Sequence, residues 1–574
     1  MDASDPPRVA ARGDSGSGAG RLDRRDFLRA SAGGALALGL APLLDACGAP
    51  ATSSPSRAGV TGRLAMPAYV PFQGPAPDLP PTPEGVWAGY LSWPSRLVKS
   101  VPQPPGRGGE VVFLNSTYYQ PPTPVEQNAA WQAVNKALNV NLKMPIIVNK
   151  DYPAKLATII ASGDLPDIFS LGSAGVPNQA DFLAAGCADL TPYLSGDAVK
   201  EFPNLAHMPP DAWLDSVFNG RIYGVNQYLG NLGNVMFVKQ NVLDALGVTE
   251  IKSTDDFMRM AKAATIPGTR WFVGSGVSSL PVMTPVGYFA QVYGAPNDWA
   301  ESGGKLTKDY ETEAYKEAVA YTRSLWDAGV MYPDLPSMTG PQAAAAFRSE
   351  KMVTLWVGLS GVFNYWDTAL DIDPDFREDV IPPFSHDGRG KGRHYLINNT
   401  NLWVLKNASP ERIRELLGII NYLGAPFGSE EYLLRNWGAK DVDWVLNDKG
   451  NPVPTKQGVA DMTIPWTLGT ASLPPAGTTG VIFNSTYPDH TRAAYEMQKK
   501  VMPLGVKNPV EGLYSPTSGQ KATVLLKQVT DRVSDIVYGR ESMSAYDQIV
   551  QDWRRNGGDQ IRREYEEALQ QSRA

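Results

Sequence analysis

The sequence predicts an α/β fold built on a mainly parallel sheet. Two observations carry that prediction. Short apolar runs bounded by Gly, Asn or Asp alternate with stretches whose apolar residues recur at helical spacing. The chain is also long and ordinary in composition, with 574 residues, 43% hydrophobic and 19% charged, enough to bury several cores.

The elements follow in order. Glu110-Val-Val-Phe-Leu-Asn115 is a buried-strand pattern, and Val125 to Leu138 has apolar residues at helical spacing. Val140 to Val148 reads as a second strand, Tyr152 to Ala161 as a helix closed by Ser162-Gly163-Asp164, and Asp167 to Leu171 as a third strand. Strand, helix, strand, helix, strand is the signature of a parallel α/β unit. The alternation continues with a strand at Asn234–Val238 and a helix from Asn241 that Gly247 ends. Ser253 or Thr254 caps a helix reaching Ala264, and Trp271–Val273 is a strand. Helices are expected at Ala314–Ala328 and Pro341–Arg348, with a strand at Met352–Val357. Pro410–Leu423 is an amphipathic helix with Ser409 as N-cap and Pro410 in its first position. Ala522 to Glu567 is mostly helical, with a break near Gly557-Gly558.

Composition excludes several functions. With 52 basic and 59 acidic side chains the net charge is −7, which excludes a generally basic nucleic-acid binder. Two cysteines exclude a disulfide scaffold and a Cys-rich zinc site, and four scattered histidines leave little for a His-based metal centre. Neither a phosphate-binding Gly-x₄-Gly-Lys-Ser/Thr loop nor a Gly-x-Ser-x-Gly nucleophile elbow is present. Asp441-Val-Asp443 and Asn447-Asp-Lys-Gly-Asn451 are fragments of a calcium-loop pattern without its terminal Glu, and the second reads better as a hairpin turn. No cofactor is expected.

Residues 1–47 read as an export address. Arg24-Arg25 and Phe27-Leu28 precede a short apolar stretch, Ala30 to Leu44, which ends at Leu44-Asp-Ala-Cys47. That order describes an export signal. The paired arginines resemble a twin-arginine signal. Leu-x-Ala-Cys resembles a lipobox, which would make Cys47 the acylated first residue of the mature chain. Residues 48–108 contain 13 prolines and read as a Pro-rich tether, with Trp87, Tyr90 and Trp93 marking a part that packs on the body.

Five stretches then resemble the extracellular solute-binding proteins of bacterial ABC importers, of the carbohydrate type. They are Asp151–Lys155 leading into Ala161-Ser-Gly-Asp-Leu-Pro-Asp-Ile168; Gly220–Val225 followed by Val235–Lys239 and Val242–Gly247; Ala345–Leu355; His394–Trp403; and Tyr538–Ser542 through Trp553, Gly557-Gly-Asp559 and Glu564-Tyr565. The resemblance runs from Glu110 to the C-terminus. It implies a two-lobed periplasmic-binding-protein-like fold with strand hinge crossings, each lobe holding a mainly parallel sheet. Lobe one would comprise 109–228 and 403–480, lobe two 232–398, and a C-terminal helical segment, 481–574, would pack across both. It further implies a monomer on the outer face of the cytoplasmic membrane, held by its lipid alone. That monomer would be no enzyme: it would capture a carbohydrate, an oligosaccharide by preference, and pass it to permease subunits whose ATPase is another chain.

A sugar site calls for aromatic faces and planar polar groups beyond the carboxyl ends of strands. The candidates are Asn115, Tyr118, Tyr119, Asp167, Ser173, Trp271, Trp356, Asn399 and Trp437. For Trp271 and Trp356 a place in the core is an equal alternative, and Asp167 is also suited to capping a turn. Two other functions remain compatible with the residues: a secreted lipoprotein glycoside hydrolase, for which no local motif marks a carboxylate pair, and a peptide-binding protein of the same fold.

Overall fold

The computed structural model describes residues 64–117, 121–171, 176, 178–228, 232–248, 250–276, 284–359, 376–397, 400–462 and 480–573. Its elements, in chain order, begin with a short strand β1 (Ala88–Tyr90). Then come β2 (Glu110–Thr117), α1 (Ala129–Leu138), β3 (Asn141–Lys143), β4 (Ile146–Val148), α2 (Tyr152–Ser162) and β5 (Ile168–Ser170). Strands β6 (Gly224–Tyr228) and β7 (Asn234–Lys239) follow, then α3 (Thr254–Ala264), α4 (Glu313–Asp327), β8 (Thr354–Gly358) and β9 (Glu378–Ile381). After β10 (His394–Tyr395) and β11 (Thr400–Leu405) come α5 (Pro410–Leu423), α6 (Glu430–Trp437), β12 (Val481–Phe483) and α7 (Pro488–Val501). The chain closes with α8 (Pro516–Val537), α9 (Tyr546–Trp553) and α10 (Asp559–Arg573).

The first sheet has the order β3–β2–β5–β11–β6, with β4 also paired to β2. Strands β2, β3, β4 and β5 are mutually parallel where they pair, and β11 runs against both β5 and β6. Two-residue periodicity places Val111, Phe113, Ile168, Trp403 and Leu405 in one buried layer under α1 and α5. The intervening Leu114, Phe169, Leu402 and Val404 form a second layer under α2. Phe113 meets Trp403 edge-on at 4.8 Å between ring centroids, a pairing that adds about 0.5–1.5 kcal/mol to the burial itself. The helix starts follow the chemistry of their caps: Asn128 accepts from Trp131 N, Ser253 from Asp256 N and Ser409 from Arg412 N. The expected single strand over 140–148 is two, because Pro145 has no N–H for a ladder; its carbonyl instead accepts from Asn115 N at 3.0 Å.

The second sheet corrects one expectation. It has the order β8–β7–β9, and β7 is antiparallel to both neighbours, so this lobe is not mainly parallel. The reason is entry across the hinge. Strand β7 enters from the first lobe and runs away from the junction, whereas β8 and β9 run toward it. Segment 271–276 lies parallel to 352–356 through bridges at Trp271–Met352 and Ser275–Trp356. This lobe has its own core, centred on Phe237, Phe257, Phe272, Phe289, Phe347 and Leu355.

The C-terminal helices α8, α9 and α10 complete the second core, and Gln520 of α8 also donates to Asn178 Oδ1 of the first lobe at 2.8 Å. Trp553 packs on Trp299 and Tyr310, Tyr546 donates to the Tyr310 carbonyl, and Glu311 accepts from Arg554 and Arg562. The Pro-rich region is not a tether from residue 64 onward: Leu64, Met66, Ala68 and Val70 pack on the first core and Val86 is buried in the second. Its prolines remove donors without preventing burial of the apolar residues between them. The export address and 48–63 lie outside the described residues. No helix among the described residues is long and apolar enough to cross a membrane.

Candidate interlobe ligand site

Strand direction shows which strand ends border the junction between the lobes. Strands β2, β5 and β6 end at the junction between lobes, and β11 begins there, with Thr400 opposite Tyr228 in the register. In the second lobe β7 begins at the junction, with Asn234 opposite Gly358 at the end of β8. The far edges, where β5 starts and β8 starts, face away.

The junction itself is tightly built. Gly233 has φ +63°, and a Cβ there would stand 2.0 Å from the Tyr395 carbonyl oxygen. His394 is fully buried and its Nε2 lies 2.6 Å from the Leu232 carbonyl. Asn297 donates to the carbonyls of Leu396 at 2.9 Å and Val506 at 2.8 Å, tying β10 to the adjoining segment 505–506. Burial holds the His394 pKa down at about 4, so the imidazole is neutral and its Nε2 proton serves the Leu232 carbonyl. The two crossings are therefore locked to each other, and hinge bending must act around this pin.

On the first lobe the edge carries a polar row that the sequence reading missed. Ser170 Oγ contacts Asn401 Oδ1, and Asn401 Nδ2 reaches Gln227 Oε1 at 3.4 Å. The row crosses β5, β11 and β6 on the face that continues from Trp403 and Val225. Ser170 is buried while Asn401 and Gln227 are half-buried. Tyr152 donates to the Ser170 carbonyl at 2.7 Å, and burial raises that phenol's pKa far above its usual value, so it stays a donor. The signal in the sequence was a polar residue at the junction end of each apolar run: Ile-Phe-Ser170, Val-Asn-Gln227 and Thr-Asn401-Leu. Asn115, near the end of β2, is buried with its Oδ1 accepting from Ser116 N at 2.8 Å.

In the second lobe Ser275 and Trp356 are bridged neighbours close to the junction end of their strands. Both are buried, and the Ser275 hydroxyl and Trp356 indole N–H have no hydrogen-bond partner among the described residues. The Trp356 ring lies against Gly287, where a Cβ would come within 2.3 Å of it.

Three sequence candidates are corrected. Asp167 precedes β5 at the far edge, where it accepts from Val112 N and Arg412 Nη2, both at 2.9 Å; it clamps β2 and α5 rather than meeting a ligand. Trp271 likewise opens its strand at the far edge and packs edge-on against Tyr332 at 5.2 Å. Trp437 ends α6, donates to the Pro452 carbonyl at 3.1 Å and packs in an aromatic cluster with Trp93, Tyr432 and Phe483. Tyr118, Tyr119, Ser173, Asn399 and Cys47 lie outside the described residues. Asp167→Ala should lower stability by about 1–3 kcal/mol, by leaving Val112 N and the Arg412 guanidinium short of an acceptor, and leave ligand affinity unchanged. Denaturant unfolding beside a binding titration checks both halves.

No group of three or more His, Cys, Asp or Glu able to hold a metal occurs among the described residues. Two α/β lobes joined by paired crossing strands, with a polar row along the junction, define a hinged binding protein. The chain belongs to the bacterial extracellular solute-binding protein family, whose model matches residues 129–432. It is similar to the polygalacturonan/rhamnogalacturonan-binding protein YtcQ of Bacillus subtilis (strain 168), 24% identical over 463 residues covering 79% of this chain and 90% of that one. Lipoprotein LipO of the same organism is 21% identical over 498 residues, 81% of this chain and 93% of its own. Among solved structures, an HMO-binding, ABC-transporter-associated solute-binding protein from Bifidobacterium longum infantis superposes with a TM-score of 0.58 at 14% identity, covering 81% of this chain and 99% of that one. The family is one of substrate-binding proteins, not enzymes.

Proposed function

We propose that this chain is the carbohydrate receptor of an ABC importer. It binds an oligosaccharide between its lobes and releases it, unaltered, to membrane permease subunits driven by an ATPase on a separate chain. The observation that carries the reading is the row Ser170–Asn401–Gln227 at the junction edge of the first lobe, with the unpartnered Ser275 and Trp356 donors near the junction end of their strands in the second. Hydroxyl, amide and indole groups pair with sugar hydroxyls without requiring a charge on the ligand, and an indole also offers an apolar face. The similarity to a polygalacturonan/rhamnogalacturonan-binding protein supports a carbohydrate. Asn115 and Trp356 remain in the proposed site. Tyr118 and Tyr119, directly after Thr117 in the chain, are its proposed aromatic partners, and Ser173 and Asn399 supply further polar groups. The mature receptor is a monomer exported by the twin-arginine route and held outside the cell by lipid on Cys47; similarity to a lipoprotein supports the lipid anchor.

The test is a thermal-shift screen of the chain from residue 48 against oligogalacturonides, neutral oligosaccharides and peptides. A ligand at 100 times its Kd stabilises by about 2.7 kcal/mol. Stabilisation by an oligosaccharide with no release of reducing ends is the expected result; stabilisation by peptides alone defeats the proposal. Gln227→Ala should weaken the sugar about tenfold, near 1.4 kcal/mol, while leaving the melting temperature of the free protein within a degree or two. Isothermal titration beside a thermal melt reads both quantities.

A further inference from the structure

The segment before Glu110 is bound to the first lobe on both sides of its contact with the second lobe. At its start, Ala68 N donates to the Gly196 carbonyl at 2.9 Å and Val70 N to the Ala206 carbonyl at 2.8 Å. At its end, Val98 N donates to the Gly428 carbonyl at 2.9 Å, and the Glu431 carboxylate accepts from Ser100 N, Ser100 Oγ and Val101 N within 3.1 Å. All of these partners belong to the first lobe. Between the two anchorages Leu79 and Gly89 pair in both directions, closing a hairpin whose tip reaches the other lobe.

There it grips α7. Tyr495 Oη donates to the Pro80 carbonyl at 2.7 Å, Gln498 Oε1 accepts from Trp87 N at 2.8 Å, and Val86 is buried in the second core. Strand β1 pairs in parallel with β12, Ala88 beside Val481 and Tyr90 beside Phe483. Helix α7 is itself fixed to the second lobe, packing against β9, where Lys500 pairs with Asp379. A movement that separates the lobes must pull this hairpin from α7 or drag its anchorages from the first lobe.

We propose that the hairpin 79–90 is a latch that opposes parting of the lobes. Its contacts with α7 exist when the lobes are together and are surrendered as they separate, so they shift the ligand-free population toward the closed arrangement. The latch follows from the two-lobed body and is independent of which ligand the junction receives.

Spin labels on Lys136→Cys in α1 and Lys262→Cys in α3 measure lobe separation without ligand; both positions are exposed, and the native Cys187 is buried. The labels are placed in the chain carrying Cys47→Ser. Tyr495→Phe with Gln498→Ala, which removes both side-chain hydrogen bonds to the hairpin, should move the distance distribution to longer values. A second variant decides the matter if that one does not fold: Tyr495→Phe alone removes the hydrogen bond to the Pro80 carbonyl and should lengthen the distribution in the same direction, to a smaller extent. Distributions that respond to neither variant overturn the latch. Since no ligand is present, that failure is distinct from failure of the carbohydrate assignment.

Discussion

Gly233→Val is expected to lower stability by at least 3 kcal/mol and to disturb the hinge with it. Two physical terms add. Gly233 has φ +63°, a left-handed conformation that costs an ordinary residue about 1–2 kcal/mol. The added Cβ would also meet the Tyr395 carbonyl at 2.0 Å and the His394 ring at 3.1 Å. The obstacle is backbone of the return crossing, which cannot give way without breaking its pairing with Gly505 and Val506. Gly247→Val is the matched control, with φ +67° and nothing within 4 Å of its Cβ. It should lose the conformational term alone, about 1–2 kcal/mol. Urea unfolding of the two variants separates the terms. Equal losses would show that the crossings are not in the contact described. If Gly233→Val folds, its lobe separation without ligand should differ from that of Gly247→Val.

The alternation of apolar runs and helical spacing reveals most of the elements, because each is set by residues that are neighbours in the chain. Strand direction relative to the junction is not local. Asp167 and Trp271 both lie at strand ends, as the sequence indicates, but at the ends far from the junction. Which end faces the ligand is decided by the way the crossings β7 and β11 enter each sheet, a long-range property. The polar residues that close the apolar runs at Ser170 and Gln227, and open β11 at Asn401, were visible signals of the edge. They carried no weight until β5, β11 and β6 were known to be adjacent. The proline-rich region misled for a related reason. Proline content reports extended backbone, whereas burial of Val86, Ala88 and Tyr90 depends on α7 and β12, some 400 residues further on. In the same way the C-terminal helices were legible as helices, but their attachment to the second lobe rests on distant partners such as Glu311 and Lys316.

Titration of the hinge histidine should make stability fall as pH falls from about 6.5 to about 4. His394 is buried, donates from Nε2 to the Leu232 carbonyl, and has no partner for Nδ1 among the described residues. Burial holds its pKa at about 4, against an ordinary value of 6.5. The folded form therefore refuses a proton that the unfolded chain accepts below pH 6.5. Stability from this group is complete above that pH and is lost as the pH drops toward 4, by about 3 kcal/mol in total. Three buried acids act in the opposite sense. Burial raises the Asp309 and Asp443 carboxyls to about 6 and holds the Glu378 carboxyl well above its usual value, so the folded state favours their protonated forms and gains stability as pH falls. The wild-type profile thus contains opposing slopes, and a single curve does not reveal the histidine. His394→Gln isolates it, because the amide supplies an N–H to the Leu232 carbonyl but does not titrate. The stability difference, wild type minus variant, should be largest at pH 7 and shrink by about 3 kcal/mol by pH 4, measured by denaturant unfolding at pH 7, 5.5 and 4. Parallel profiles would mean that water or a further side chain serves Nδ1, and that the pin between the crossings tolerates a charge.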